Sequence, residues 1–299
     1  MTFPRLAAIS LLALFPAVMA VADPVTVTTA RGPVTIDETP ERPVVYDVAA
    51  IDSLHALGVP VAGVPQKLYV DYLDDVSRDA AKVGTLFEPD LEAVAGLGPD
   101  LIIVGGRSAA QYDSLGRIAP VIDMSVSPDV LGDAERRLKD YGALFGKQDK
   151  ADELIASLQA KLDELHAAAE GRGSALILLT NGPKVAAYGA SSRFGWLHTA
   201  TGMPEARAGL SAENHGDAVS LEFIAEANPD WIFVIDRSAA IGEEGQSARI
   251  TLDNPLVATT NAAKNGHILY LSGAGMYVAG GGYTALMQTL DQILASLNG

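Results

Sequence analysis

The sequence predicts an α/β protein of two Rossmann-like lobes, each built on a central, mostly parallel sheet, joined by one long α-helix. Three features predict it: a duplicated segment, short apolar strands alternating with helical stretches, and a long amphipathic helix between the two copies. Residues 91–107 read LEAVAGLGPDLIIVGGR and residues 221–237 read LEFIAEANPDWIFVIDR. Aligned without a gap, Leu, Glu, Ala, Pro, Asp, Ile, Val and a final Arg recur at the same offsets. Each copy reads as a short helix with an early Glu (Glu92, Glu222), a Pro-Asp stop, and an apolar strand. The strand delivers an Arg (Arg107, Arg237) just past its C-terminal end, the edge where open α/β sheets bind ligands. Two copies imply two similar domains, each offering one Arg to a shared cleft and one Glu to an outer surface. Pro-Asp is ordinary punctuation between elements, which explains the apolar matches but explains less well a charge matched at both ends.

The first 22 residues have the layout of a secretory signal peptide. A basic start (Arg5) leads into an apolar run that ends at Ala20-Val21-Ala22, so the mature protein is expected to begin at Asp23. The run is too short for a comfortable membrane span, and no later segment approaches spanning length. Cysteine is absent, which excludes a disulfide, a thiolate metal site and a lipidated N-terminal Cys. A soluble periplasmic protein fits this composition, and a secreted enzyme fits it equally well. Cleavage leaves about 277 residues, enough for two domains of ordinary size. The formal charge of −16 disfavours nucleic acid and anionic membrane as partners. It also makes any cluster of arginines more noteworthy.

The N-terminal lobe is expected over 23–146. VTVTTARGPVTIDETP alternates like a β-hairpin turning at Arg31-Gly32-Pro33, and βα units follow through PVIDMSV. Over 147–171 the pattern changes, with Leu154, Ile155, Leu158, Leu162 and Leu165 on one helical stripe and a Gly-Arg-Gly stop after it. About 24 helical residues span roughly 36 Å, enough to cross a domain junction. A second α/β run fills 172–299, from SALILLT to a final helix ALMQTLDQILASLNG. The duplication straddles the long helix, which favours two lobes on one rigid spine over a single large domain, and predicts modest closure on binding.

Four loops at predicted element ends carry unusual polar residues: VGGRSAA (Arg107), GASSRFG (Arg193), ENHGDAVS (His215) and VIDRSAA (Arg237). A fifth, LSGAGMYVAGGG, presents Tyr277 in a Gly-rich turn. Two like charges 4 Å apart cost roughly 4 kcal/mol at an effective dielectric of 20, and a multiply charged ligand turns that penalty into attraction. Guanidinium forks match planar oxygen pairs. Each Arg alone reads as a surface ion pair, and Arg237 next to Asp236 has a local structural role as a live alternative. His55, His166, His198 and His267 read as structural. A neutral imidazole and a phenolate are competent ligands for Fe(III), so His215 with Tyr277 can complete a sphere whose other four positions come from a chelator.

On HGDAVSLEFIAEANPDWIFVIDR, LDNPLVATTNAAKNGHILYL and MYVAGGG the chain resembles the periplasmic siderophore-binding proteins of ABC importers, the subgroup handling ferric anguibactin, enterobactin fragments or petrobactin. The resemblance implies that Arg107, Arg193 and Arg237 clamp catecholate oxygens of a ferric siderophore. It implies that His215 and Tyr277 complete the iron sphere of a tetradentate bis-catecholate. Glu92 and Glu222 would each dock one lobe onto an inner-membrane ABC permease. Ala110 stands where some relatives carry a basic residue. A periplasmic monomer with no permanently bound cofactor and no catalytic step is expected. Haem or a corrinoid is the second candidate cargo, since His and Tyr also serve as axial ligands. A secreted hydrolase is the third reading, disfavoured because no GxSxG elbow, HExxH pair or phosphate loop is present.

Overall fold

The computed structural model describes residues 24–212 and 215–299. The expected signal segment, 1–22, lies outside the described residues. After it, β1 (Val25–Thr29) and β2 (Gly32–Ile36) form an antiparallel hairpin. The hairpin turns at Ala30-Arg31 rather than over Arg31-Gly32-Pro33, and Gly32 opens the return strand. Arg31 is pinned there by Asp123 at 3.1 Å.

The N-terminal sheet contains β3 (Pro43–Val45), β4 (Gly63–Val64), β5 (Ala81–Lys82), β6 (Leu101–Val104) and β7 (Val121–Asp123), in the order β5-β4-β3-β6-β7. All its pairings are parallel. The strands β3 and β6 are buried at every position, as a parallel sheet covered on both faces requires. The C-terminal sheet contains β8 (Ala175–Asn181), β9 (Lys184–Tyr188), β10 (Asp217–Val219), β11 (Trp231–Asp236) and β12 (Ile268–Tyr270), in the order β10-β9-β8-β11-β12. Here β8, β11 and β12 are parallel, and β9 turns back antiparallel to both β8 and β10.

The duplicated segments occupy matching places. The first copy supplies β6 beside β3, and the second supplies β11 beside β8. The repeated Asp has the same task in each lobe. Asp100 accepts the backbone N–H groups of Glu41 and Arg42, at 2.7 and 2.9 Å, just before β3. Asp230 accepts the Ser174 N–H at 2.9 Å, just before β8. The Pro-Asp pair therefore locks the start of each lobe's neighbouring strand as well as ending a helix.

The long helix runs Gln148–Ala169, 22 residues or about 33 Å. It is shorter than 147–171 because Lys147 is its N-cap and Glu170 its C-cap. Leu154, Leu158 and Leu165 of the predicted stripe are buried, and Ile155 and Leu162 half-buried. Ala151 and Leu154 join the N-terminal core, whereas Leu158 and Leu165 join a C-terminal one, so the helix crosses between them.

The spine is not the sole junction. Val278, Ala279 and Ala285, expected in the C-terminal lobe, pack into the N-terminal core. Asp52, on the Val48–Ala56 helix, is fully buried and accepts the Thr284 and Ala285 N–H groups at 2.8 and 2.9 Å and the Tyr72 hydroxyl at 2.7 Å. It caps the Tyr283–Asn298 helix, whose own N-cap, Gly282, has no side chain to do so. Burial pushes the Asp52 carboxyl above its usual range, although these hydrogen bonds pull the other way. Asp52→Ala should cost about 1–3 kcal/mol, because it leaves buried donors unsatisfied. Denaturant unfolding checks this, and wild-type stability would contradict a latch at this point.

Candidate functional site

A cleft of about 490 Å³ opens between the lobes. Asp47, Leu86, Phe87 and Arg107 line it on the N-terminal side, and Arg193, Phe194, Trp196, His215 and Tyr277 line the other wall.

Each basic loop is fixed by a small polar neighbour. After β6, the buried Ser108 hydroxyl lies 3.2 Å from the Tyr46 carbonyl and 3.1 Å from that of Gly105, and the Gly106 N–H donates to Ser125 at 2.8 Å. This stitching holds the turn that carries Arg107. In the loop after β9, the buried Ser192 hydroxyl donates to the Gly189 carbonyl at 2.6 Å, and the Ala190 N–H donates to Glu205 at 2.7 Å. Arg193 projects from that loop with its guanidinium 4.7 Å from the Phe194 ring centre. Arg237 opens the Arg237–Ile241 helix, which Asp236 caps by accepting the Ala239 N–H at 3.1 Å. Asp236 also accepts the Ala248 N–H at 2.7 Å, so it is occupied by backbone, and Arg237 pairs instead with the exposed Glu243 at 3.2 Å. His215 is exposed at the cleft. Its neighbour Gly216 has φ +65°, and a Cβ there would lie 2.7 Å from the Ala187 carbonyl oxygen and 2.9 Å from the Tyr188 ring. Glycine is therefore required beside His215.

The three arginines meet at Tyr277. Arg107 and Arg193 donate to its backbone carbonyl at 2.7 and 3.3 Å, and Arg237 donates to its hydroxyl at 3.3 Å. Among the described residues, neither Arg107 nor Arg193 has a carboxylate partner within ion-pair distance. Burial lowers the Arg193 guanidinium's affinity for its proton, and the Arg107 charge lowers it further. Burial would raise the Tyr277 phenol, but the Arg237 hydrogen bond and three nearby positive charges outweigh it and bring the phenol below its usual value. The site thus combines excess positive charge with a phenol that holds its proton less tightly than an ordinary tyrosine.

The structure brings Arg107, Arg193, His215 and Tyr277 to one cavity. Arg237 reaches the group through the Tyr277 hydroxyl, from beyond the lining residues. Tyr277 is not in a turn. It ends a short helix, Gly273–Tyr277, which forms despite two glycines because Ser272 caps it by accepting the Gly275 N–H. Glu92 and Glu222 are both exposed and both second in seven-residue helices. The caps come from Asp90 and Ser220, so neither Glu is the capping residue. The loop 83–90 after β5 folds back on itself, with the Asp90 N–H donating to the Val83 carbonyl at 2.9 Å, so the Leu91–Leu97 helix starts beside the end of β5, at the edge where the parallel β6 ends. The Leu221–Ala227 helix likewise starts just after β10, whose end lies level with that of β8 and so at the edge where β11 ends. Each Glu therefore stands at the sheet edge that carries its lobe's Arg.

Leu86, Phe87 and Asp47 were not legible as cleft residues. For the first two a signal existed: at the gapless offset of the duplication, His215 corresponds to Thr85, so the segments upstream of both helices reach the cleft.

One tyrosine should titrate below the ordinary phenol range in a spectrophotometric pH titration. Tyr277→Phe should remove that step, and Arg237→Ala should move it to higher pH by deleting a donor to the phenolate. A lowest step that survives Tyr277→Phe would contradict this account.

A family model described as periplasmic binding protein matches residues 44–274. The petrobactin-binding protein YclQ of Bacillus subtilis is 35% identical over 86% of this chain and 83% of its own. The ferric-anguibactin-binding protein FatB of Vibrio anguillarum is 29% identical over 88% of this chain and 84% of its own. Among solved structures, the periplasmic catecholate-siderophore binding protein VctP of Vibrio cholerae superposes with a TM-score of 0.86 at 30% identity, covering 91% of this chain and all of that one. No helix among the described residues is long and apolar enough to cross a membrane. The lobed fold, the shared cleft and these matches agree: the chain belongs to the periplasmic binding protein family.

Proposed function

We propose that this protein captures a ferric catecholate siderophore in the periplasm and delivers it to an inner-membrane ABC importer. The observation that carries the reading is the convergence of Arg107, Arg193 and Arg237 on Tyr277, beside His215. A compact polyanion relieves that charge, and an iron held by four chelator oxygens has two positions for an imidazole and a phenolate. The petrobactin-, ferric-anguibactin- and catecholate-siderophore-binding relatives support the same cargo class.

On this reading the three arginines grip the chelator's oxygens, and His215 and Tyr277 coordinate iron directly. Iron arrives as part of the cargo, no resident cofactor is needed, and no bond of the cargo is broken. Residues 1–22 direct export, lobes 23–146 and 172–299 flank the 147–171 connector, and the protein works as a monomer. Glu92 and Glu222 dock the two lobes onto the permease, and their place at the Arg-bearing sheet edges supports this.

His215→Ala combined with Tyr277→Phe should weaken binding of a tetradentate ferric bis-catecholate and leave a hexadentate complex little changed. Fluorescence-quench titration reads this, and an unchanged preference would exclude direct coordination. Arg107→Ala and Arg193→Ala should each cost about ten- to a hundredfold in affinity, the size of a charge-assisted contact. Glu92→Arg with Glu222→Arg should leave ferric-siderophore binding and melting temperature near wild type while abolishing iron uptake in cells. Normal uptake would remove the permease interface.

A further inference from the structure

The loop that leads into the Leu91–Leu97 helix presents an aromatic ring at the cleft with no structural use for it. Phe87 lines the cleft and is 57% exposed. Of the large hydrophobic residues exposed to this degree among the described residues, Phe87, Leu91 and Ile250, it is the one that lines the cavity. A lone exposed apolar side chain is commonplace and by itself means little. The backbone beneath this one is what makes it informative.

That backbone is pinned at every step. The Thr85 N–H donates to the Glu88 carbonyl at 2.9 Å, and the Thr85 hydroxyl accepts the N–H groups of Phe87 and Glu88 at 3.2 and 3.0 Å. Gln111 donates its side-chain amide to the Phe87 carbonyl at 3.0 Å. Gly84 has φ +95°, and a Cβ there would lie 2.5 Å from both the Glu88 carbonyl oxygen and the Asp90 nitrogen, so no other residue fits. Leu86, next in the chain, is buried and anchors the loop to the core. The phenyl ring is therefore held out on a rigid mount.

The other aromatic rings on the cleft are already in use. Phe194 is buried between the Arg193 guanidinium and the edge of Tyr188, whose ring centre is 4.8 Å away. Trp196 is buried. Tyr277 is crowded by three guanidinium groups. Phe87 alone of these offers a free face. It carries no polar atom, so it reads the shape and π-face of a ligand rather than its charge.

We propose that Phe87 is the cleft's stacking platform, the residue that holds the aromatic chelating ring of the cargo. This rests on the ferric-chelate reading above and deepens it. The arginine wall recognises the oxygens of the chelator, and Phe87 recognises the ring that bears them. The duplication places the two tasks in corresponding segments, with ring recognition upstream of the first helix and His215 upstream of the second.

The test is a quench titration of the full mature protein with the ferric complex of a synthetic tetradentate bis-catecholamide. Wild type is compared with Phe87→Tyr, Phe87→Leu and Phe87→Ala. Because the side chain is exposed, all three variants should melt with the wild type. Phe87→Tyr should bind within about twofold of wild type, whereas Phe87→Leu and Phe87→Ala should each lose about tenfold, or about 1.4 kcal/mol. Wild-type affinity in Phe87→Ala would overturn the proposal, and so would wild-type affinity in Phe87→Leu, since apolar cover without stacking would then suffice. Failure of the wild-type protein itself to bind the complex would overturn the cargo class and this inference with it, an outcome distinct from a variant that matches a wild type that binds.

Discussion

Three guanidinium groups gather around one tyrosine, two on its carbonyl and one on its hydroxyl. Concentrating positive charge this way is unfavourable without an anion, and two of the three have no carboxylate partner among the described residues. The chain has acids to spare, with 37 against 21 Lys and Arg, yet among the described residues the cluster is paired with just one of them, Glu243 on Arg237. The rest of the site follows from this imbalance. It lowers the proton affinity of the Tyr277 phenol, and on the proposed reading it is what draws an anionic chelate.

Such a cluster is useful only if its members hold their places while they repel one another. The fold arranges this by tying the Tyr277 segment to both lobes. The segment is short, helical and capped by Ser272 within the C-terminal half. Immediately after it, Val278 and Ala279 enter the N-terminal core, and Asp52 grips the first turn of the last helix. Arg107 adds a further tie from the N-terminal lobe. Lys67 reaches across as well, donating to the Ile241 carbonyl at 3.1 Å at the end of the helix that Arg237 opens. A spine helix, an interlobe cap and several crossing hydrogen bonds together favour small adjustments on binding over wide hinge motion.

Much of this was legible in the sequence, for a physical reason. The duplication fixes equivalent strands beside β3 and β8, and equivalent arginines at their ends, because each copy solves the same packing problem in its own lobe. Its Asp proved more informative than punctuation, since Asp100 and Asp230 each lock the chain just before a central strand. What escaped the sequence depends on contacts across the chain. Asp52 looks like an ordinary helical acid until it meets Thr284 and Ala285, more than two hundred residues away. The helix ending at Tyr277 hid behind two glycines whose low propensity its serine cap offsets. The edge on which Glu92 and Glu222 stand follows from strand direction, which composition does not carry. Phe87, an isolated aromatic in a loop, has no periodicity to mark it, and only the duplication, which sets Thr85 against His215, places its segment at the cleft.

The proposed mode of capture requires iron to meet both His215 and Tyr277 beside the arginine cluster. A crystal of the protein grown with a ferric tetradentate bis-catecholate, measured at the iron absorption edge, tests this most directly. One anomalous peak should lie within coordination distance of both the Tyr277 hydroxyl and a His215 ring nitrogen, with the chelator oxygens turned toward Arg107, Arg193 and Arg237. A peak elsewhere in the cleft, or an iron whose sphere the chelator fills without either side chain, would contradict it.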